Sequence, residues 1–296
     1  MRKGIILAGG RGTRLYPLTH SLSKQLLPIY DKPMIYYSIS TLMLSGIREI
    51  LIISSPKDLD LYKDLLGNGE NWGIEIAYKE QINPDGLAHA FLLSKRYLKG
   101  SPSALILGDN LFYGENLINT LRNANNKFEN TTLFAYPVKD PERYGVVEFD
   151  KNYRVINIEE KPKIPKSNFA ITGLYFYDKN VVDYAEKLKP SERGELEITD
   201  LNNLYLKENN IHIKVLGRGI AWLDTGTFDS LHEAGSFIKS IEHRQGLKVG
   251  CPEEIAWRNG WITTEELINL SKKMLKSPYG IYLFEITKGK YSYLTK

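Results

Sequence analysis

Short apolar runs alternate with amphipathic stretches through the first half of the chain. Residues 4–8, 49–54, 75–79, 104–107 and 132–137 are brief, mainly apolar and bounded by turn residues, which predicts strands. Between them, residues 33–45, 58–66, 87–98 and 116–127 carry apolar positions three and four apart, the spacing of a helix with one buried face. This βα alternation predicts an α/β fold with a doubly wound, mostly parallel, Rossmann-like sheet, whose ligands sit beyond the C-terminal strand ends.

From Tyr144 the rhythm changes. Residues 144–149 and 155–160 flank Asp150-Lys151-Asn152-Tyr153 as a hairpin. Residues 172–177 and 212–216 read as further strands, separated by helical stretches at 180–188 and 197–209. This middle part is expected to be inserted into the chain as a continuation of the same sheet. After Gly226 the pattern turns helical, over 227–242, 252–259 and 263–275. The expected organisation is a main domain over 1–240, with halves at about 1–140 and 141–226, and a C-terminal helical appendage over 241–296. No repeat of 20–50 residues is visible, which excludes a solenoid.

Composition narrows the chemistry. The 296 residues are 42% hydrophobic and 25% charged, ordinary for a globular protein able to bury a sizeable core. A net charge of +4 without a dense basic tract suits small anionic ligands and argues against nucleic acid. No apolar run reaches the roughly 20 residues that span a bilayer, and Met1-Arg2-Lys3-Gly4 leads straight into a strand instead of a signal-peptide core, so a cytoplasmic location is expected. One cysteine, Cys251, excludes an intrachain disulfide framework and a multi-cysteine zinc site. His20, His89, His212, His232 and His243 lack metal-ligand spacing.

The densest chemical signal is the opening, Leu7-Ala8-Gly9-Gly10-Arg11-Gly12-Thr13-Arg14-Leu15-Tyr16-Pro17, followed by Ser23-Lys24-Gln25-Leu26-Leu27-Pro28. A strand running into a glycine turn offers backbone N–H groups to a polyphosphate, with Arg14 and Lys24 at hand to neutralise it. The spacing is neither a Walker loop, which would need Lys at Gly10, nor G-x-G-x-x-G, since Leu15 holds the third glycine position. Asp109 follows the apolar run 104–107, and Asp224 follows Ile220-Ala221-Trp222-Leu223 in the same way. Both are expected at the C-terminal rim of central strands, where two carboxylates can hold Mg²⁺. The plainer alternatives are a turn cap for Asp109, a helix N-cap for Asp224, solvated cations for Arg14 and Lys24, and simple turn formers for the glycines.

Taken in order, the segments 7–17, 23–34 and 84–90, Gly108-Asp109-Asn110, Glu159-Glu160-Lys161-Pro162, Trp222-Leu223-Asp224-Thr225-Gly226 and Cys251-Pro252-Glu253-Glu254-Ile255-Ala256 closely resemble the sugar-phosphate nucleotidyltransferases. The resemblance implies condensation of dTTP with α-D-glucose 1-phosphate to dTDP-glucose and pyrophosphate, the first step toward dTDP-deoxysugars such as dTDP-rhamnose. Alternatives are the same chemistry with UTP, and a non-catalytic sugar-nucleotide sensor.

By the same resemblance, Arg14, Lys24, Asp109 and Asp224 are catalytic, with Mg²⁺ on the two aspartates. Leu7, Ala8, Gly9, Gly10, Gly12, Thr13, Arg14, Gln25, Gln81, Pro84 and Gly86 bind the nucleotide. Lys24, Leu87, Asn110, Gly145, Glu160, Lys161, Ile171 and Gly173 bind the sugar phosphate, with Arg193 and Thr199 nearby. The half at 1–140 then binds nucleotide, the half at 141–226 binds sugar, and the appendage serves oligomerisation and regulation. Asn83 stands where relatives usually carry Ser, and His89 where they usually carry Gln. Tyr113, Gly114, Arg218, Gly219, Glu254, Ile255 and Arg258 match a second nucleotide site, implying feedback inhibition by a dTDP-sugar in a homotetramer. Without the resemblance, Gln81 is a loop residue, Glu160-Lys161 a charged turn, and Glu254 with Arg258 a surface pair on one helix.

Overall fold

The computed structural model describes residues 1–10, 12–152 and 154–290; Arg11 of the glycine turn and Tyr153 of the expected hairpin turn lie outside them. The first half runs β1 (Lys3–Leu7), β2 (Pro28–Ile29), β3 (Lys32–Pro33), α1 (Ile35–Leu44), β4 (Glu49–Ser54), α2 (Leu59–Leu66), β5 (Glu75–Glu80), α3 (His89–Leu98) and β6 (Ser103–Leu107). There follow β7 (Asn110–Gly114), α4 (Leu117–Asn126), β8 (Thr131–Pro137), β9 (Gly145–Phe149), β10 (Val155–Glu160), β11 (Phe169–Tyr177), α5 (Val181–Ala185), α6 (Ile198–Lys207), β12 (Ile211–Val215) and β13 (Ile220–Asp224). The end is helical: α7 (Phe228–Gln245), α8 (Pro252–Arg258), α9 (Thr264–Lys272) and α10 (Pro278–Thr287).

The central sheet is mixed, with order β10-β9-β11-β6-β1-β4-β5 and with β8 joining β11 to β12. Strands β6, β1, β4 and β5 pair in parallel, whereas β11 runs antiparallel to β6, β8 and β9. The middle of the chain therefore extends the same sheet, and β9 with β10 forms the antiparallel pair at its edge.

Period-two alternation sends neighbouring residues to opposite faces. Ile6, Ile50, Ile52 and Ile106 pack with Ile35, Ile39 and Leu42 of α1, while Ile5, Leu7, Leu51, Ile53 and Leu105 pack with Phe91 of α3 and Leu201 and Tyr205 of α6. Helices on both faces make the sheet doubly wound. Ile255, Leu267, Tyr282 and Leu283 of the C-terminal helices belong to the α1 cluster, so the tail closes over that face.

One expectation needs correcting. Strand β13 does not lie in the central sheet; it pairs antiparallel with β7 in a separate two-stranded ribbon, with Asp224 opposite Asn110. Asp224 does not cap the following helix either, because Thr227 is the N-cap of α7, its side chain accepting from the Ser230 N–H. The apolar run before Asp224 satisfies a ribbon as well as a sheet core, since Trp222 alone of its middle residues is buried.

Candidate active site

Strand β1 delivers the glycine turn to the C-terminal edge of the parallel strands. The Ala8 N–H donates to Ile53 O at 2.8 Å, the Gly108 N–H to Leu7 O at 3.0 Å, and the Ala8 carbonyl accepts from the Ser54 hydroxyl at 3.0 Å. The backbone of Leu7 and Ala8 is thus fixed by its neighbours, and further on the Gly12 carbonyl accepts from the Thr19 hydroxyl at 2.7 Å and the Leu15 N–H at 2.9 Å. Gly9, Gly10, Gly12, Thr13, Arg14, Lys24 and Gln25 wall a cleft of about 280 Å³, closed by Asp109 and Gly226. The Gln25 amide oxygen accepts from the Ser23 hydroxyl at 2.9 Å, which orients its NH₂ group.

Asp109 occupies the turn between β6 and β7. The Lys24 ammonium donates to its Oδ2, and the Asn110 amide donates to its Oδ1 at 3.0 Å. The Asn110 Oδ1 in turn accepts from the Gly173 N–H at 3.1 Å and the Trp222 indole at 2.6 Å, tying β7 to β11 and β13. Ribbon pairing sets Asp224 beside this turn. The Thr225 hydroxyl donates to Asp109 O at 3.0 Å, and the Tyr144 hydroxyl donates to Asp224 Oδ2 at 3.5 Å.

The two carboxyls are driven apart in acidity. Burial pushes Asp109 up, but the Lys24 ammonium outweighs it and holds the group below the usual carboxylate range. Burial pushes Asp224 up, and the Asp109 charge pushes it further. Two mutually repelling oxygen donors, brought side by side by the Asp224–Asn110 register, suit a divalent cation.

On the other side of Asp109 opens a larger cleft of about 470 Å³. Leu87, Asn110, Gly145, Glu160, Lys161, Ile171 and Gly173 all line it. The Thr199 hydroxyl donates to Glu160 Oε2 at 2.5 Å, while Lys161 and Arg193 stand 3.4 and 3.7 Å from Glu160 Oε1. Arg14 and Asp109 line both clefts.

Gln81, Pro84 and Gly86, in the loop after β5, line neither cleft. Gln81 is buried and its N–H donates to Ser54 O at 2.8 Å; a Cβ placed on Gly9 would lie 3.1 Å from its amide oxygen, so the two loops touch. Gly86 adopts φ 101°, and a Cβ there would stand 2.4 Å from Leu196 O, a close approach only glycine permits.

Reading the residues alone missed Arg143, Tyr144, Glu195, Glu197, Asn202 and Trp222, all of which line the larger cleft. Three of these carried a signal: Arg143 and Tyr144 directly precede Gly145, and Trp222 lies two positions before Asp224 on the same strand face. Of the aromatic residues 175–177, Tyr175 lines the cleft, and Phe176 and Tyr177 are wholly buried.

On the far side of α1, Tyr113, Gly114, Glu254, Ile255 and Arg258 line a third cleft of about 400 Å³. Arg218 and Gly219 are outside its wall, although the Gly219 carbonyl abuts Gly114 and accepts from the Glu115 N–H at 3.1 Å. Arg258 Nε donates to Glu254 Oε1 at 2.7 Å. No described helix is long and apolar enough to cross a membrane.

A glycine turn, paired aspartates and two clefts meeting at Arg14 define a nucleotidyltransferase, and the chain belongs to the nucleotidyl transferase family, whose model matches residues 3–241. Its relatives are more particular. Glucose-1-phosphate thymidylyltransferase of Xanthomonas campestris pv. campestris is 58% identical over 287 residues, covering 97% of each chain. The enzyme of the same name from Neisseria meningitidis serogroup A is 55% identical, over 97% of this chain and 99% of its own. A solved UDP-glucose pyrophosphorylase complexed with UDP-glucose has a TM-score of 0.72 at 25% identity, covering 81% of this chain and 99% of its own.

Proposed function

We propose that this chain transfers the thymidylyl group of dTTP to α-D-glucose 1-phosphate. The observation that carries the reading is the meeting of a glycine-walled cleft and a Glu160-walled cleft at Arg14 and Asp109. A phosphate oxygen of the sugar phosphate attacks the α-phosphorus in line; the new P–O bond forms as the bond to the β-phosphate oxygen breaks, and pyrophosphate leaves. A phosphate monoester carries about −1.5 to −2 charges at pH 7, so it needs no general base. The protein's work is to position two anions and offset their repulsion.

Arg14 takes the developing pyrophosphate and Lys24 the phosphate oxygens beside the reacting centre. Gly9, Gly10, Gly12 and Thr13 cradle the triphosphate, while Gln81 and the Gly86 backbone read the base edge. Glu160 accepts from glucose hydroxyls and Lys161 binds the sugar phosphate. Asp109 and Asp224 would hold Mg²⁺, which when bound neutralises phosphate charge. The donor set fits: both side chains are carboxylates, the oxygen ligands Mg²⁺ prefers, and water and substrate phosphates would complete its shell.

The test is pyrophosphate release over a grid of nucleotides and sugar 1-phosphates. The expected maximum is dTTP with glucose 1-phosphate, abolished by a chelator and restored by Mg²⁺. One methyl group is worth about 1–3 kcal/mol in a pocket, so UTP is expected to react at roughly a tenth of the rate or less. A preference for UTP would instead support the uridylyltransferase reading that the UDP-glucose-bound neighbour favours. Binding of dTTP without any product would make the chain a sensor.

Residues 1–240 are assigned to catalysis and 241–296 to assembly. The third cleft is assigned to a dTDP-sugar inhibitor, dTDP-rhamnose in the first instance, in a homotetramer. Arg258→Ala is expected to weaken inhibition at least about tenfold, the scale of one charge-assisted phosphate contact, with uninhibited turnover kept. An unchanged inhibition curve would remove that assignment.

A further inference from the structure

We infer that Arg143 is an exchangeable counter-ion: it neutralises Asp224 in the free protein and passes to the phosphate of the sugar 1-phosphate once a divalent cation occupies the aspartate pair. This rests on the metal and substrates proposed above.

Each aspartate has its own cation, and the two pairs differ in kind. Lys24 is 9% exposed and held tightly on Asp109, whereas Arg143 is 37% exposed and its Nη2 stands 3.7 Å from Asp224 Oδ2. A pair that long and that accessible to water is worth little, so giving it up costs little. The other edge of the guanidinium is anchored, with Nη1 donating to Asp140 Oδ2 at 2.6 Å and the group 5.4 Å from the centre of the Tyr144 ring. Arg143 can therefore turn one edge while Asp140 keeps the other, which a planar five-donor fork allows and an ammonium does not.

The two cations also lie on different sides. Lys24 walls the glycine-turn cleft and Arg143 walls the sugar-side cleft. Two positive charges arriving between the aspartates replace what Lys24 and Arg143 supply there, and leave each cation beside a different phosphate. Of the other cations of the sugar-side wall, Lys161 is drawn to Glu160 and Arg193 to Glu197 at 2.8 Å, while Arg14 is shared with the glycine-turn cleft. The edge of Arg143 facing Asp224 makes no hydrogen bond of normal length within the described residues, and so is a readily transferred donor on the sugar side alone.

The experiment uses Arg143→Ala and Arg143→Lys in the full chain. Mn²⁺ binding to the free protein is followed by electron paramagnetic resonance, and glucose 1-phosphate binding at saturating Mg²⁺ by calorimetry. Arg143→Ala is expected to bind Mn²⁺ about threefold more tightly, the scale of one partly exposed ion pair, and glucose 1-phosphate about tenfold or more weakly. Arg143→Lys is expected to restore wild-type Mn²⁺ affinity and only part of the sugar-phosphate affinity. Unchanged Mn²⁺ affinity in Arg143→Ala overturns the inference, as does tighter Mn²⁺ with unchanged glucose 1-phosphate binding. A lower melting temperature with both affinities unchanged would reduce Arg143 to a support for Asp140. Wild-type protein that binds neither probe sinks the proposed function itself, and does so before any variant is made.

Discussion

Asp109→Asn and Asp224→Asn are each expected to lower pyrophosphate release by about a thousandfold at saturating Mg²⁺, with only Asp109→Asn destabilising the metal-free protein. The activity loss follows from removing half the protein's charge at a site whose task is to concentrate compensating charge on phosphate. Losing a single preorganised electrostatic contact at a transition state costs about 10²–10³-fold, and a metal ligand stands at or above the top of that range. Asparagine keeps the shape of the side chain, and at position 109 its oxygen can still accept from the Asn110 amide.

The stability shifts follow from the two acidities. The Asp109 carboxyl titrates below its ordinary value because Lys24 overcomes the effect of burial, so its charge stabilises the fold above the unfolded-state pKa, and that contribution is lost in the asparagine variant at neutral pH. The Asp224 carboxyl titrates above its ordinary value through burial and the Asp109 charge, so its ionisation opposes folding, and Asp224→Asn is expected to melt at an equal or higher temperature. Thermal melts in chelator and a pyrophosphate assay across a magnesium titration measure both. Full activity in either variant would withdraw that residue from the metal.

The parallel core was legible because each strand is a short apolar run and each helix an amphipathic one, and these periods do not overlap. The ribbon was not. Residues 110–114 follow a turn without a gap and mix Asn, aromatics and Gly, so nothing local separates β7 from the loop around Asp109. Its partner β13 reads as a strand, but the choice between sheet core and ribbon is made by Asn110, whose amide joins Gly173 and Trp222 across more than sixty residues of sequence. Helix α10 escaped for a different reason: Tyr279, Ile281, Tyr282, Leu283 and Phe284 put apolar groups on nearly every side, which leaves no periodic stripe. The glycine turn and both aspartates were legible as residue types. That they face one another depends on pairing between β7 and β13, a long-range contact without a local signature.

Arg14→Ala is expected to lower kcat by about 10²–10³-fold with a smaller rise in KM for dTTP. Arg14 is exposed, and no hydrogen bond within the described residues holds its guanidinium, although its charge reaches Asp224. An arginine left without a protein partner at the junction of two clefts is poised for charge that appears only during reaction, on the oxygen that leaves with pyrophosphate. Interactions that strengthen in the transition state act on kcat, whereas uniform binding acts on KM. Arg14→Lys keeps the charge but loses the bidentate fork, so it should recover part of the rate without restoring it. The alanine variant is the decisive one: KM raised with kcat intact would place Arg14 on the resting triphosphate, and the stabilisation of the leaving group would then have to come from Lys24 and the metal alone.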